Sequence, residues 1–242
     1  MMPGSDDIPD ALAEDQLRSK AEIDDALADA MFDVIADDTV DRKPHPLRDL
    51  RDLSTPRRVT IAIAVTLGAG AAGLAGMGLR HDFFDVLSAR YLSSLAILGA
   101  LATALLSVSL RGLHRAALGD ALSVCLCGFG LTLPFLSAAN PGWWPGTGVE
   151  TDAIFHLRCF AQGGMLTAIV TAVTVLLMRA DRPRWWRLVA AAAAGGLVGT
   201  LMQYLNCPSA EPFHLLTSHS ALGAVVASAV LLADRLRYGP SE

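Results

Sequence analysis

Long uncharged runs alternate along the chain with short polar stretches, and the length of the runs decides what they are. Val59 to Gly78, Leu92 to Leu110, Phe160 to Met178 and Leu188 to Leu205 carry no charge at all. Ala116 to Ala138 carries only Asp120, and Leu215 to Ala233 has only His219 as an ionisable side chain. Crossing about 30 Å of hydrocarbon takes about 17–25 helical residues. The pattern therefore predicts six transmembrane helices, over about 59–78, 92–110, 116–138, 160–178, 188–205 and 215–233. The expected fold is all-α: a six-helix transmembrane bundle in residues 58–242, preceded by a cytoplasmic acidic tail and linker in residues 1–57. The first run starts too far from the N-terminus, and is followed by too many others, to be a signal peptide.

A different pattern occupies residues 10–35. Ile23, Leu27, Met31 and Val34 follow the three-four spacing of one helical face, Leu12 and Leu17 fall loosely outside it, and Asp24, Asp25, Asp29 and Asp33 line the other faces. Asp10 is placed to cap the start, with Asp6 and Asp7 before it favouring a helix N-terminus. An isolated helix of this length is marginal in water until its apolar face finds a partner. Pro44, Pro46 and Pro56 make the connection to the first span extended. An acidic amphipathic helix is repelled by an anionic inner leaflet, which attracts basic segments. Its apolar stripe suits a basic protein groove, the other reading being a solvated, disordered tail.

Composition sharpens the picture. Hydrophobic residues make up 52% of the chain and charged ones 18%, with mean hydropathy +0.42; an ordinary soluble domain carries about 25% charge. The formal net charge of -5 is the sum of two unlike parts: residues 1–41 hold 13 acids and 2 bases, residues 42–242 hold 11 acids and 17 bases. A soluble enzyme, a secreted disulfide scaffold and a direct nucleic-acid binder are all disfavoured. With the N-terminus inside, 14 basic residues fall in inner segments and 3 (Arg80, Arg90 and Arg158) in outer loops. That bias places both termini in the cytoplasm. Small residues are abundant in the spans, and Gly195 and Gly199 form a GxxxG pair, read here as close bundle packing rather than a dimer motif. Ionisable residues deep in a span mark transport routes. Only Asp120 approaches that description, and it lies at the inner edge, within reach of Arg111 and Arg115 as a structural ion pair.

The chemistry concentrates on one side. Cys125 and Cys127 lie mid-span, two apart and hence on different helix faces, and read as buried small hydrophobes. Cys159 precedes the fourth apolar run and Cys207 follows the fifth, each 24 residues from Pro183 in the turn between them. An antiparallel helix pair brings both thiols to one depth on the outer side, although equal depth does not by itself meet the geometry of a disulfide. His81, His156, His214 and His219 share that side, leaving His45 and His114 inside. An oxidising periplasm gives such a cysteine pair two readings, a structural disulfide or a redox- or metal-reactive site. Thiolate with imidazole suits Zn and Cu(I), which makes His156, His214 and His219 candidate metal ligands beside the cysteines. No CxxC or HExxH is present.

Gly78-Leu79-Arg80-His81-Asp82, then Arg111-Gly112, Trp185 through Ala194, Gly195 to Gly199, Tyr204, Asn206-Cys207-Pro208 and Phe213 follow one another in an order that resembles the NrsF family, over roughly residues 47–238. These are six-span bacterial inner-membrane anti-sigma factors, which negatively regulate sigma-F-like extracytoplasmic-function sigma factors. The resemblance implies a binding protein rather than an enzyme, whose partners are a sigma factor and the lipid bilayer. It implies that a cytoplasmic N-terminal segment holds sigma; the stripe Leu17, Ile23, Leu27, Met31 and Val34, or Leu47, Leu50 and Leu53 in the linker, would make that contact. It implies that two outward cysteines, here Cys159 and Cys207, are the sensing residues for metal or oxidative stress. No cofactor is required on this reading, and transient heavy-metal binding stays open. The tail is longer and more acidic here than is usual in that family, and His219 stands near a place where an aromatic pair is common. The alternative from the residues alone is a membrane thiol-disulfide oxidoreductase built on the same cysteines.

Overall fold

The computed structural model describes residues 53–111, 120–140, 152–178 and 183–239, all within the unit Leu47–Glu242. Six helices stand where the apolar runs predict them: α1 Thr55–Met77, α2 Ala89–Ser109, α3 Asp120–Ala139, α4 Ala153–Leu176, α5 Trp185–Asn206 and α6 Pro212–Tyr238. Each is long and apolar enough to cross a bilayer, so the chain is a multi-pass, all-α membrane protein. Pro56 enters α1 in its first turn, where a missing N–H removes no helix bond. The sixth span is not uniform. A single turn, Pro212–His214, runs into a π-helix, Leu215–Ser220, and then into regular α-helix, Leu222–Tyr238.

One boundary differs with consequence. α4 begins at Ala153, not near Phe160, because Asp152 caps it: its carboxylate accepts from the Phe155 N–H at 2.7 Å. The charge of Arg158 ends the apolar run but not the helix, whose hydrogen bonds are internal and whose long basic side chains can reach the interface. Cys159 therefore lies inside α4, nearly two turns from its start, rather than ahead of the span. The mid-span cysteines also divide. Cys127 is buried and Cys125 is exposed on the outside of the bundle, because residues two apart on α3 cannot both meet the neighbouring helix. Arg115 and the Asp120 side chain lie outside the described residues, as do all of the acidic tail positions.

α5 is the hub. Its apolar window is 83% buried against 6% for α1, and it packs on α2, α3, α4 and α6. The run Ala190 to Ala194 and the glycines after it make α5 thin enough for this. A Cβ on Gly195 would stand 2.6 Å from the Thr167 carbonyl oxygen and one on Gly199 2.8 Å from the Gly163 carbonyl oxygen, both in α4, while one on Gly196 would stand 2.5 Å from Gly223 Cα in α6. The GxxxG pair thus serves close packing within the chain.

Buried arginines close one end of the bundle. Arg58 of α1 donates through Nη1 to the Leu177 carbonyl at 2.9 Å, past the end of α4. Arg187 of α5 donates through Nε to Ser109 O at 2.8 Å and through Nη2 to Arg111 O at 3.0 Å, past the end of α2. Helix C-termini leave carbonyls without intrahelical donors, and the two guanidinium groups answer them. At the opposite end the Gly78–Asp82 segment folds onto α5. Arg80 N–H donates to Leu205 O at 3.0 Å, and its guanidinium grips Asp82 in a bidentate pair at 2.6 and 2.7 Å. Tyr91 Oη donates to Tyr204 O at 2.7 Å beside it.

Candidate functional site

At the Arg80 end, α4, α5 and α6 bring four ligand-bearing side chains into one buried cluster. Cys159 comes from the second turn of α4, Cys207 from the residue after α5, His214 from the first turn of α6 and His219 from its π-helix. One ligand atom from each lies within 4.8 Å of all the others, and all four residues are buried. The thiols are not bonded. Cys159 S–H donates to Cys207 Sγ at 3.9 Å, and Cys207 Sγ stands 3.4 Å from His214 Nε2. The S–H of Cys159 draws the Cys207 thiol below its ordinary value, against the opposing cost of burial, and the imidazoles of His214 and His219 act in the same direction.

Local sequence explains why the four converge. Pro208 follows Cys207, and α5 gives way there to extended backbone, so Cys207 leaves the helical path and its thiol meets Cys159 and His214. In an α-helix, residues five apart point in different directions. The π-helix, with its i→i+5 bonding, sets His214 and His219 one above the other, their rings 4.7 Å apart and edge to face. Polar side chains hold that unusual turn. Thr200 donates to His219 O at 3.1 Å, Ser218 to His156 O at 3.2 Å, and Ser220 to Pro134 O at 2.9 Å. Gln203, one turn before Cys207, donates to the Cys159 carbonyl and so fixes the two cysteine-bearing elements to each other. Gly163 makes room for it, since a Cβ there would stand 2.7 Å from Gln203 Nε2.

His156 occupies a second layer. Its ring stacks edge-on against His214 at 4.4 Å, and its Nε2 lies 3.4 Å from Glu211 Oε2. Phe155 packs on His214 at 5.3 Å and Phe213 on His156 at 5.9 Å, so the three rings roof the cluster.

Of the residues singled out from sequence, Cys159, Cys207, His214 and His219 meet in one set, and His156 stands over it. The cysteines are enclosed, at 6% and 2% exposure, rather than open at a surface, because α4 begins early and carries Cys159 down into the bundle. Leu53 is half-buried at the foot of α1, its carbonyl accepting from Arg58 Nε at 3.1 Å. Leu17, Ile23, Leu27, Met31, Val34, Leu47 and Leu50 lie outside the described residues. Sequence reasoning missed Gln203, Glu211 and the arginine caps. The spacing of Gln203 four residues before Cys207 was the one available signal. No protein-family model, curated protein or solved structure matches the chain.

Proposed function

We propose that this chain is a bacterial inner-membrane anti-sigma factor of the NrsF type, with both termini in the cytoplasm, and a binding protein rather than an enzyme. The observation that carries the sensing half is the meeting of Cys159 and Cys207, 48 residues apart in sequence, with Sγ atoms 3.9 Å apart under a three-ring roof. Loss of two protons and two electrons to an oxidant joins these sulfurs at a bond length of about 2.05 Å. A thiophilic metal bridges them instead. Either event biases the bundle toward a state that holds sigma less tightly. The acidic tail and the order of motifs from Gly78 to Phe213 support the sigma-holding half.

The test has two arms. The full-length chain, tagged and extracted in detergent from its own cells, should bring down an extracytoplasmic-function sigma factor, and a chain lacking residues 1–53, which removes both candidate contact segments, should not. Cys159→Ser and Cys207→Ser should each abolish induction of the sigma-dependent genes by metal or oxidant. Recovery of no sigma factor from the intact chain defeats the reading. The paired thiols also favour a second reading, a thiol oxidoreductase. Dithiol-dependent quinone reduction by the purified protein would establish that reading in place of the first.

A further inference from the structure

We propose that Cys159, Cys207, His214 and His219 form a four-ligand site for one divalent, thiophilic cation of the zinc class. Tetrahedral coordination with metal–sulfur distances of about 2.3 Å and metal–nitrogen distances of about 2.0–2.1 Å puts two sulfurs about 3.8 Å apart, and sulfur and nitrogen about 3.5 Å apart. The measured separations are 3.9 Å for Cys159 Sγ to Cys207 Sγ and 3.4 Å for Cys207 Sγ to His214 Nε2. Three of the four ligands thus already have two tetrahedral edges formed. The widest separation in the set is within 4.8 Å, so the outermost ligand moves inward by about 1 Å on loading.

Charge selects the ion. Two thiolates and two neutral imidazoles around a divalent cation sum to zero, which a site made of four buried residues tolerates. A monovalent soft cation would leave one negative charge enclosed. The loading step is balanced: the cation displaces one proton from each thiol and accepts lone pairs from both sulfurs and from one nitrogen of each imidazole.

The surroundings point the same way. His214 Nδ1 and Gln203 Oε1 are buried polar atoms with no hydrogen-bond partner among the described residues; with His214 Nε2 as the ligand nitrogen neither sits on the cation itself, and both show that protein alone does not answer the polar groups around the cluster. Buried polar atoms left in that condition are rare and mark strain or an interaction with something not protein. Gln203 also ties Cys159 to the helix that presents Cys207, the kind of outer support that holds ligands in register. His156 belongs to the roof and not to the ligand set.

Binding stands on this geometry; its consequence for sigma release rests on the reading proposed above. The test uses the full-length protein in detergent, stripped with chelator, kept reduced and titrated with Co²⁺ as the reporter ion. One cobalt per chain is expected, with tetrahedral ligand-field bands and thiolate-to-cobalt charge transfer, both abolished by added Zn²⁺. His214→Gln and Cys159→Ser should weaken cobalt binding by at least about tenfold while the charge-transfer band falls, and His156→Gln should leave stoichiometry and spectrum intact. Absence of a tetrahedral spectrum in the wild-type chain at one equivalent overturns the site, whatever the variants do. Equal loss in His156→Gln and His214→Gln overturns the ligand assignment. Sigma retention measured on the same preparations separates the two proposals: sigma held without a cobalt spectrum refutes the site alone, and a cobalt spectrum without sigma refutes the anti-sigma reading alone.

Discussion

Arg58→Met tests how the foot of α1 is held to the end of α4. Arg58 is fully buried and donates through Nη1 to Leu177 O at 2.9 Å, Nε to Leu53 O at 3.1 Å and Nη2 to Thr55 Oγ1 at 3.1 Å, among other interactions. Methionine keeps most of the apolar stem and removes every donor. Leu177 O is the acceptor in a buried bond, and leaving such a group unanswered costs about 1–3 kcal/mol. The other two bonds are only part-buried, so water replaces the guanidinium there and each contributes about 0.5–1.5 kcal/mol. Relief of a buried charge offsets part of the total. The net expectation is about 2–4 kcal/mol, or a fall in Tm of roughly 4–16 °C for a protein of this size. Heating the detergent-solubilised protein and following tryptophan fluorescence, with size-exclusion recovery after each step, measures it. Arg58→Lys should fall between the two, since a single ammonium cannot span three acceptors that a planar guanidinium reaches. A variant that melts within 1 °C of the wild type would refute the reasoning, by showing that the Leu177 carbonyl does not depend on Arg58.

Two further outcomes follow from the packing and the charges. The Arg80 guanidinium, bonded to both oxygens of Asp82, holds that carboxyl below its usual range, so its stabilising contribution is present above about pH 4 and is lost as the pH falls through the depressed value. A profile of Tm against pH should drop on the acid side in the wild type and be flatter there in Asp82→Asn; an identical acid limb in both would remove the ion pair from the account. Gly196→Ala places a methyl 2.5 Å from Gly223 Cα and should cost about 1–3 kcal/mol through displaced helices. Gly128→Ala, with nothing within 4 Å, should be neutral or slightly stabilising through helix propensity; equal Tm shifts would contradict the close α5–α6 contact.

Much of the fold was written in the pattern of apolar and charged positions. A helix satisfies its own backbone hydrogen bonds, so in a bilayer the length of an uncharged run is almost enough to define it. All six spans stand within a few residues of where the runs put them, save α4. There the capping Asp152 and the tolerance of Arg158 inside a helix carry the element beyond its apolar stretch. Which helix would be central was only half visible. The alanines and glycines of α5 announced close packing within the bundle, but not that the helices meeting them would be α4 and α6.

The candidate site divides along the same line. Sequence by itself determined that two cysteines and several histidines gather at one end of the bundle, because depth along a helix is simple arithmetic from the turns. Only the tertiary structure decided which of them meet, because azimuth around a helix axis depends on the register between helices and on local departures from α geometry. The early start of α4 sank Cys159 into the bundle. The break at Cys207 and Pro208 ended α5 where the second thiol meets the first. The π-helix Leu215–Ser220 rotated His219 into line with His214, a convergence that α-helical spacing forbids and that hydrogen bonds from Thr200, Ser218 and Ser220 sustain. A list of same-side residues became a four-ligand cluster through those three local events, and none of them has a signature in hydrophobic periodicity.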